Sequence, residues 1–309
     1  MLETVVQRKS KVTVVGAGLM GHGIAQVFAA AGHDTTITDT SHDVLQAARH
    51  HIRNNLDQMG IEPGPVLERI RLCRNLAESV SDADFVIEAA PERVALKQKL
   101  FADIAEAAPE SAVLASNTSV IPITAIGENL DEQARCRLVG THWWNPAHLV
   151  PLVEVIRTRF TSGVVFEDTF NILAAVGKCP VKVHKDVPGF IGNRLQHALW
   201  REAISLVHRG VCDAETIDTV VKLSFGMRLP VLGPMENADL VGLELARSVH
   251  EIIFPDLDCA SEPSPLLNEL VSAGHLGMRT GKGLRNWTPE QADEVRRRLA
   301  LHLIAANNR

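Results

Sequence analysis

A histidine and a glutamate near the ends of two predicted strands have the residue types required for general acid–base chemistry. His142 ends the strand predicted over residues 137–142, and Glu154 lies within an apolar run over 150–156. An imidazole can accept a proton near neutral pH, and a carboxylate among apolar residues needs a partner to offset the cost of its burial. If the two strands are neighbours, Glu154 would orient the imidazole and stabilise its charged form. The alternative, which the sequence leaves open, is a structural histidine and an acid on an edge strand.

A glycine-rich turn near the start of the chain has the pattern of a dinucleotide-binding loop. Gly16, Gly18 and Gly21 form G-x-G-x-x-G between a β-branched run and a helical pattern, and Leu19 and Met20 lie between the last two glycines. The first glycine permits a tight turn, the second lets a pyrophosphate approach the backbone, and the third lets the helix pack closely. The positive helix N-terminus would then face the anion.

An acidic residue ends the second predicted strand, eighteen residues beyond Gly21. The carboxylate of Asp39 can accept hydrogen bonds from both ribose hydroxyls and would repel a 2′-phosphate. The sequence therefore predicts NAD rather than NADP as the cofactor.

Two further polar segments are candidates for substrate contact. Ser119 closes the segment Ala-Ser-Asn-Thr-Ser after a predicted strand, and Asn193 follows Asp-Val-Pro-Gly-Phe-Ile-Gly at the start of a predicted helix. Hydroxyl and amide groups at the carboxyl ends of strands suit a substrate oxygen or a nicotinamide. Ordinary turn chemistry and an ordinary first helical turn are the alternatives.

A long excursion near residues 42–80 separates the second strand from the next predicted one. Its pattern is helical, with an interruption at 60–65. Arg49 and Arg53 are four residues apart on one helix face, where they could bind a phosphate. A solvated basic face is the alternative interpretation.

Composition narrows the functional class. The chain has 309 residues, a formal net charge of −6, five cysteines and no tyrosine. The charge gives no indication of a nucleic-acid or membrane partner, and the absence of tyrosine excludes mechanisms that need a tyrosine acid. We expect no transmembrane segment, because no apolar run reaches the required length, and no signal peptide. We also expect no metal site, because the cysteines are scattered without ligand spacing. These features favour a reduced, cytoplasmic protein.

The order of the predicted elements indicates an α/β fold. Strands and helices alternate over residues 1–186, which is typical of a Rossmann-type, doubly wound and mostly parallel sheet. Residues 187–309 contain helical patterns only and predict a smaller all-α domain. The predicted strands are 11–16, 34–39, 84–89, 112–116, 137–142, 151–156 and 180–184. The predicted helices are 19–31, 42–58, 92–107, 164–177, 190–209, 213–223, 236–253, 263–273 and 288–305.

Taken together, the motifs resemble those of the 3-hydroxyacyl-CoA dehydrogenase family, and the resemblance extends over nearly the whole chain. It rests on Gly-Ala-Gly-Leu-Met-Gly-His-Gly-Ile-Ala, Val-Ile-Glu-Ala-Ala-Pro-Glu, Ser-Asn-Thr-Ser, His-Trp-Trp-Asn-Pro with Pro-Leu-Val-Glu-Val-Ile, Asp-Val-Pro-Gly-Phe-Ile-Gly-Asn-Arg, Gly-Pro-Met-Glu and Arg-Thr-Gly-Lys-Gly. The resemblance implies an NAD-binding N-terminal domain, a helical C-terminal domain that forms a homodimer, and a substrate cleft between them.

The same resemblance implies roles for individual residues. His142 corresponds to the catalytic base and Glu154 to its partner acid, while Ser119 and Asn193 match residues that hold the substrate oxygen. The residues that fall where the family touches NAD are Asp39, Glu92, Lys97, Ser119, Asn145 and Arg279, although a lysine is more usual at the last position.

The substrate is less constrained than the cofactor. The resemblance implies oxidation of an L-3-hydroxyacyl-CoA, a reaction of fatty acid metabolism, but Trp143 and Trp144 replace the usual Phe-Phe pair beside the base. Indoles add bulk and a donor there, so both tryptophans are candidate substrate contacts together with Arg49 and Arg53. CoA-free hydroxy acids or aldehyde acids, of carnitine, gulonate or pyridine carboxylate type, remain open as substrates. A third alternative is an NAD-binding structural protein of lambda-crystallin type.

Overall fold

The computed structural model describes residues 9–307 of the chain. These residues divide into two compact units. One unit contains the residues up to Asn193 together with those from Ala300 onward, and the other is Arg194–Leu299. The last turns of the C-terminal helix therefore belong to the first unit rather than to the helical one.

The first unit is built on an eight-stranded sheet in the order β3-β2-β1-β4-β5-β6-β7-β8. All neighbouring pairs are parallel except β6 and β7, which are antiparallel. The strands are β1 (Lys11–Val15), β2 (Asp34–Thr38), β3 (Ile70–Cys73), β4 (Phe85–Glu88), β5 (Val113–Ser116), β6 (Leu138–Trp143), β7 (Leu152–Ile156) and β8 (Cys179–Val183).

Helices cover both faces of this sheet. Ile87 of β4 packs in an apolar cluster with residues of α1, α2 and α8, whereas the adjacent Val86 packs with residues of α5 and α6. Because successive strand residues point to opposite faces, the two clusters lie on opposite sides of the sheet. The helices are α1 (Leu19–Ala30), α2 (His42–Gln58), α3 (Pro63–Leu67), α4 (Leu76–Val80), α5 (Val94–Ala107), α6 (Ile123–Ile126), α7 (Glu132–Cys136) and α8 (Gly163–Ala175). The predicted Rossmann-type α/β class is confirmed.

The prediction of a helical excursion over 42–80 is wrong in one respect. Ile70–Cys73 forms β3, which pairs in parallel with β2 and extends the sheet at that edge. The strand has four residues, and Ile70 and Cys73 are its two buried positions. Such a short segment carries little periodicity, so its conformation depends on pairing with β2.

The second unit is helical, as predicted, with one difference in its elements. The single helix predicted over 236–253 is broken at Gly242, whose φ of 98° lies in the left-handed region. The helices are α9 (Gly192–His208), which begins in the first unit, α10 (Ala214–Leu223), α11 (Pro234–Val241), α12 (Leu243–Ile253), α13 (Pro265–Ser272) and α14 (Pro289–Asn307). No described residue of α10–α13 is buried.

Candidate active site

His142 and Glu154 form a buried pair across the antiparallel strands. They are direct register partners in β6 and β7, and Nδ1 of His142 lies 2.7 Å from Oε2 of Glu154. Their exposed fractions are 3% and 1%. The contact that the sequence predicted is therefore present, and its position on two strands makes it part of the sheet rather than of a loop.

The second carboxylate oxygen of Glu154 is held by the start of the helical segment. Oε1 accepts hydrogen bonds from the backbone N–H groups of Ile191 at 2.9 Å and Gly192 at 3.1 Å. Burial works against ionisation, but the hydrogen bonds from His142 and the two backbone groups outweigh it and hold the pKa of Glu154 below its ordinary value. The group is therefore a carboxylate, and it can stabilise a positive imidazole.

Two aromatic rings pack against the imidazole of His142. The ring of Trp144 lies 5.2 Å away between centroids and that of Phe190 lies 5.7 Å away. Among residues 9–307, no group hydrogen-bonds to Nε2 of His142. Since Nδ1 is engaged by Glu154, Nε2 is the ring atom left to exchange a proton with a ligand.

The structure corrects the predicted substrate contact of Trp143. This side chain is 2% exposed and packs against Phe28 at 6.0 Å, with Nζ of Lys178 5.4 Å from its ring centroid. Adjacent strand residues face opposite sides of a sheet, so Trp143 points into the core while His142 and Trp144 share the other face. Of the two tryptophans, Trp144 alone remains a candidate for substrate contact.

Ser119 and Asn193 are directly linked. Nδ2 of Asn193 donates to the backbone carbonyl of Ser119 at 2.8 Å. The Ser119 turn is also fixed from the other side, because Oε1 of Glu92 accepts from Oγ1 of Thr118 and from the N–H groups of Ser119 and Val120. Burial opposes the ionisation of Glu92, but these hydrogen bonds and Lys97 hold its pKa below the ordinary value.

The environment of Lys97 differs from that expected of a residue that contacts the cofactor directly. Its side chain is 1% exposed, and Nζ bonds Oε1 of Glu88 at 2.5 Å and the carbonyl of Ala90 at 3.1 Å, with Oε2 of Glu92 at 3.3 Å. The ammonium is thus enclosed by three acceptors. Its effect on a ligand must therefore pass through Glu88 and Glu92.

The sequence analysis assigned no role to Glu88, and it placed Ser116 and Asn117 in a candidate polar segment without naming their partners. Fully buried Glu88 also accepts from Oγ of Ser116 at 2.6 Å, and Oδ1 of Asn117 accepts from the N–H of Trp143 at 3.0 Å. These contacts tie the carboxyl ends of β4, β5 and β6 together. The available signal was the acid that ends the otherwise apolar strand Phe-Val-Ile-Glu.

The glycine turn has the conformation that the motif requires. Gly16 adopts a φ of 105°, and a Cβ at Gly21 would collide with the carbonyl oxygen of Gly16. At Gly18, by contrast, a Cβ would meet no atom within 4 Å, so the space beside this residue is open. Gly18 caps α1 without a side-chain hydrogen bond, and exposed Leu19 and partly buried Met20 form its first turn. This end of the helix suits a bound phosphate group.

Asp39 lies beside this turn. Its Oδ2 accepts from the N–H of Ala17 at 2.9 Å and its Oδ1 from the N–H of Ser41 at 2.8 Å. A carboxylate has about four acceptor positions, so two remain for ribose hydroxyls. The turn, the open side of Gly18 and this carboxylate together fit the adenosine diphosphate half of NAD.

Comparison with known proteins identifies the family. Residues 11–187 match the model of the 3-hydroxyacyl-CoA dehydrogenase NAD-binding domain, and residues 189–287 match that of its C-terminal domain. The chain belongs to the 3-hydroxyacyl-CoA dehydrogenase family. It is an NAD-dependent dehydrogenase.

Named relatives of this family member differ in substrate. It is 34% identical to 5-formyl-3-hydroxy-2-methylpyridine 4-carboxylate 5-dehydrogenase of Mesorhizobium japonicum, over 95% of this chain and 96% of the relative. The crystal structure of a dehydrogenase of that name, an NAD+-dependent dismutase, matches with a TM-score of 0.88 and 32% identity over 97% of both chains. (S)-3-hydroxybutyryl-CoA dehydrogenase from Ralstonia eutropha matches with a TM-score of 0.75 and 32% identity, over 91% of this chain and all of that one.

The remaining predicted site residues of this dehydrogenase are exposed. Asn145 is exposed just beyond β6, and exposed Arg49 and Arg53 lie on α2, with Nη1 of Arg49 donating to the carbonyl of Ile70 at 3.4 Å. Arg279 is exposed in a 3₁₀ turn of the helical unit, Met278–Thr280.

Within the described residues, no three histidine, cysteine or acidic side chains are placed to hold a metal ion. No helix in residues 9–307 combines the length and apolar character needed to cross a bilayer.

Proposed function

We propose that this dehydrogenase oxidises the hydroxyl of an L-3-hydroxyacyl-CoA to a 3-ketoacyl-CoA, with His142 as the general base. The observation that carries the proposal is the 2.7 Å contact between His142 and Glu154, which engages Nδ1 and leaves Nε2 without a partner among the described residues. Nε2 removes the hydroxyl proton of the substrate.

Glu154 orients the imidazole and stabilises the positive charge that the ring acquires. Its carboxylate accepts hydrogen bonds from two backbone N–H groups and from His142, and these stabilise its ionised form, so the proton stays on the imidazole. Ser119 and Asn193 position the substrate oxygen. The amide of Asn193 uses one donor on the Ser119 carbonyl and keeps a second for the ligand.

Bound NAD supplies the acceptor for the hydride that leaves the substrate carbon. In this proposal the cofactor is held by the loop from Gly16 to Gly21 and by Asp39. The resemblance adds Glu92, Ser119, Asn145 and Arg279 as contacts, and Lys97 acts through Glu88 and Glu92.

A second candidate is the oxidation of a CoA-free aromatic aldehyde acid. It is favoured by the TM-score of 0.88 with the pyridine carboxylate dehydrogenase, against 0.75 with the hydroxybutyryl-CoA enzyme, and by the indole of Trp144 next to His142. The hydrate of an aldehyde carries a hydroxyl and a carbon-bound hydrogen. The same base and cofactor would convert it to a carboxylic acid.

Parallel assays of the purified protein distinguish these candidates. We expect NADH oxidation with acetoacetyl-CoA that disappears in His142→Gln. Turnover only with a pyridine aldehyde carboxylate would replace the CoA proposal with the second candidate. NAD binding without turnover of either compound, or of carnitine and gulonate, would favour the structural protein.

We also propose a homodimer, formed through the helical unit. Leu245, Val249 and Ile252 lie on one face of α12 and are 55%, 42% and 77% exposed. Burial of this apolar face against a second copy of the chain would be energetically favourable. Sedimentation should give twice the 33.7 kDa mass of one chain, and Ile252→Glu should shift the equilibrium toward the monomer.

We also propose that the protein acts in fatty acid metabolism in the cytoplasm. Its five cysteines are free, which suits a reducing compartment.

A further inference from the structure

Phe190 has an unusual backbone conformation at the start of the segment that holds Glu154. Its φ of 51° follows a φ of 74° at Gly189, and it is the one non-glycine residue with positive φ in the part of the chain that the structure describes. The left-handed region is unfavourable for a residue with a Cβ, and for an aromatic residue in particular. The N–H of Gly189 is bonded to the Val120 carbonyl and that of Phe190 to the Val187 carbonyl.

This conformation directs the next two N–H groups. Ile191 and Gly192 follow Phe190 directly, and both donate to Oε1 of Glu154, at 2.9 and 3.1 Å. With Oε1 occupied, Oε2 faces Nδ1 of His142. The left-handed turn at Phe190 is therefore what allows one end of the carboxylate to be fixed by backbone and the other by the imidazole.

The side chain of Phe190 also touches the imidazole. It is 1% exposed, lies with its centroid 5.7 Å from that of His142, and packs in the same apolar cluster as Ile123 and Ile156. The ring thus restricts rotation of the imidazole, while the backbone of the same residue restricts the carboxylate.

We propose that Phe190 is a positioning residue that fixes both members of the His142–Glu154 pair. It keeps the neutral imidazole in the tautomer with hydrogen on Nδ1 and Nε2 directed at the substrate. The inference deepens the proposed function and depends on His142 being the base. Phe190 itself takes no part in proton or hydride transfer.

Three variants separate the ring of Phe190 from its backbone. Phe190→Ala removes the ring and keeps a Cβ in the left-handed region, whereas Phe190→Gly removes the ring and relieves the backbone. Phe190→Leu keeps an apolar side chain of similar volume. We expect a higher Tm for Phe190→Gly than for Phe190→Ala, and a partial return of activity in Phe190→Leu.

The decisive measurement is the ¹⁵N NMR spectrum of histidine-labelled protein, with the His142 signals assigned by their loss in His142→Gln. We expect Nδ1-protonated His142 in the wild type and a mixture of tautomers in both Phe190→Ala and Phe190→Gly. In the assay, kcat should fall roughly 10- to 100-fold in these two variants, while KM and the Kd for NAD change by less than about threefold.

Phe85→Ala is the matched control. Phe85 is a buried phenyl at the start of β4 that packs against Phe28, at the end of the strand away from Glu88. This variant should lower the Tm while leaving the His142 signals and kcat unchanged. A wild-type His142 spectrum and full kcat in Phe190→Ala and Phe190→Gly would overturn the inference, as would an equal spectral change in Phe85→Ala. If no substrate is turned over by the wild type, the proposed function fails, and the NMR spectrum still tests Phe190.

Discussion

His142 and Glu154 stand directly opposite each other in β6 and β7, the antiparallel pair of an otherwise parallel sheet. If β7 ran parallel to β6, its carboxyl end would lie beside that of β6. The reversal instead places the middle of β7 beside the end of β6, where its carboxylate reaches the imidazole at 2.7 Å. Cross-strand partners have a fixed separation, so the pair is preorganised.

Substitution within this pair should affect turnover and leave NAD binding unchanged. His142→Gln removes the proposed base, and Glu154→Gln removes the charge proposed to stabilise its protonated form. We expect kcat to fall by roughly 10²–10⁴-fold in each, because that is the usual contribution of general-base catalysis. Stopped-flow or steady-state kinetics with NAD titration measure both quantities.

Glu167→Gln is the control for the acid substitution. Glu167 is an exposed acid of α8 paired with Lys182 of β8. It should retain wild-type turnover. Unchanged kcat in His142→Gln would contradict the assignment of the base.

Trp143 and Trp144 should respond differently to replacement by phenylalanine. Trp143→Phe removes buried volume beside Phe28 and is expected to lower the free energy of unfolding by about 1–2 kcal/mol, with little change in kcat. Trp144→Phe enlarges the space beside His142 and is expected to raise kcat/KM for acetoacetyl-CoA roughly tenfold. Urea unfolding and steady-state kinetics of both variants test this; a specificity change in Trp143→Phe alone would contradict the orientation described.

Asp39 should govern the choice between NAD and NADP. Asp39→Asn removes the negative charge proposed to bind ribose hydroxyls and to repel a 2′-phosphate, so the KM for NAD should rise about 10- to 100-fold, from a loss of about 1.5–3 kcal/mol. The KM for NADP should fall. Asp34→Asn, at the exposed start of β2, serves as the control and should bind both cofactors as the wild type does.

His148 should make the protein sensitive to acid. Burial, followed by smaller effects of His22 and Lys178, lowers its pKa to about 4. The folded value lies below the unfolded one, so the unfolded chain binds more protons between about pH 6.5 and 4 and stability falls on acidification. The wild type should lose about 2–3 kcal/mol relative to His148→Gln between about pH 7 and 4.5. Urea unfolding at both pH values measures this, and exposed His50→Gln should behave as the wild type. A parallel loss in His148→Gln would refute the assignment to His148.

Strong local patterns made most of the fold predictable. The glycines at 16, 18 and 21 have a defined geometric task, and Gly16 and Gly21 adopt the turn and the close packing that the motif demands. The pairing of His142 with Glu154 was also accessible, since a carboxylate inside an apolar strand requires a partner. β3 could not be predicted, because a segment of four residues carries too little pattern and its strand conformation depends on pairing with β2.

The sequence by itself determined the α/β class, the glycine-rich turn and the two residues, His142 and Glu154, that pair across the strands, because each depends on residue types in a recognisable local pattern. Only the tertiary structure decided that Trp143 faces the core while Trp144 faces His142, and that Lys97 is enclosed by Glu88, Glu92 and Ala90. It also decided that Phe190 turns two N–H groups onto Glu154. Those outcomes depend on which face of a strand is covered and on contacts between residues far apart in the chain, neither of which local spacing encodes.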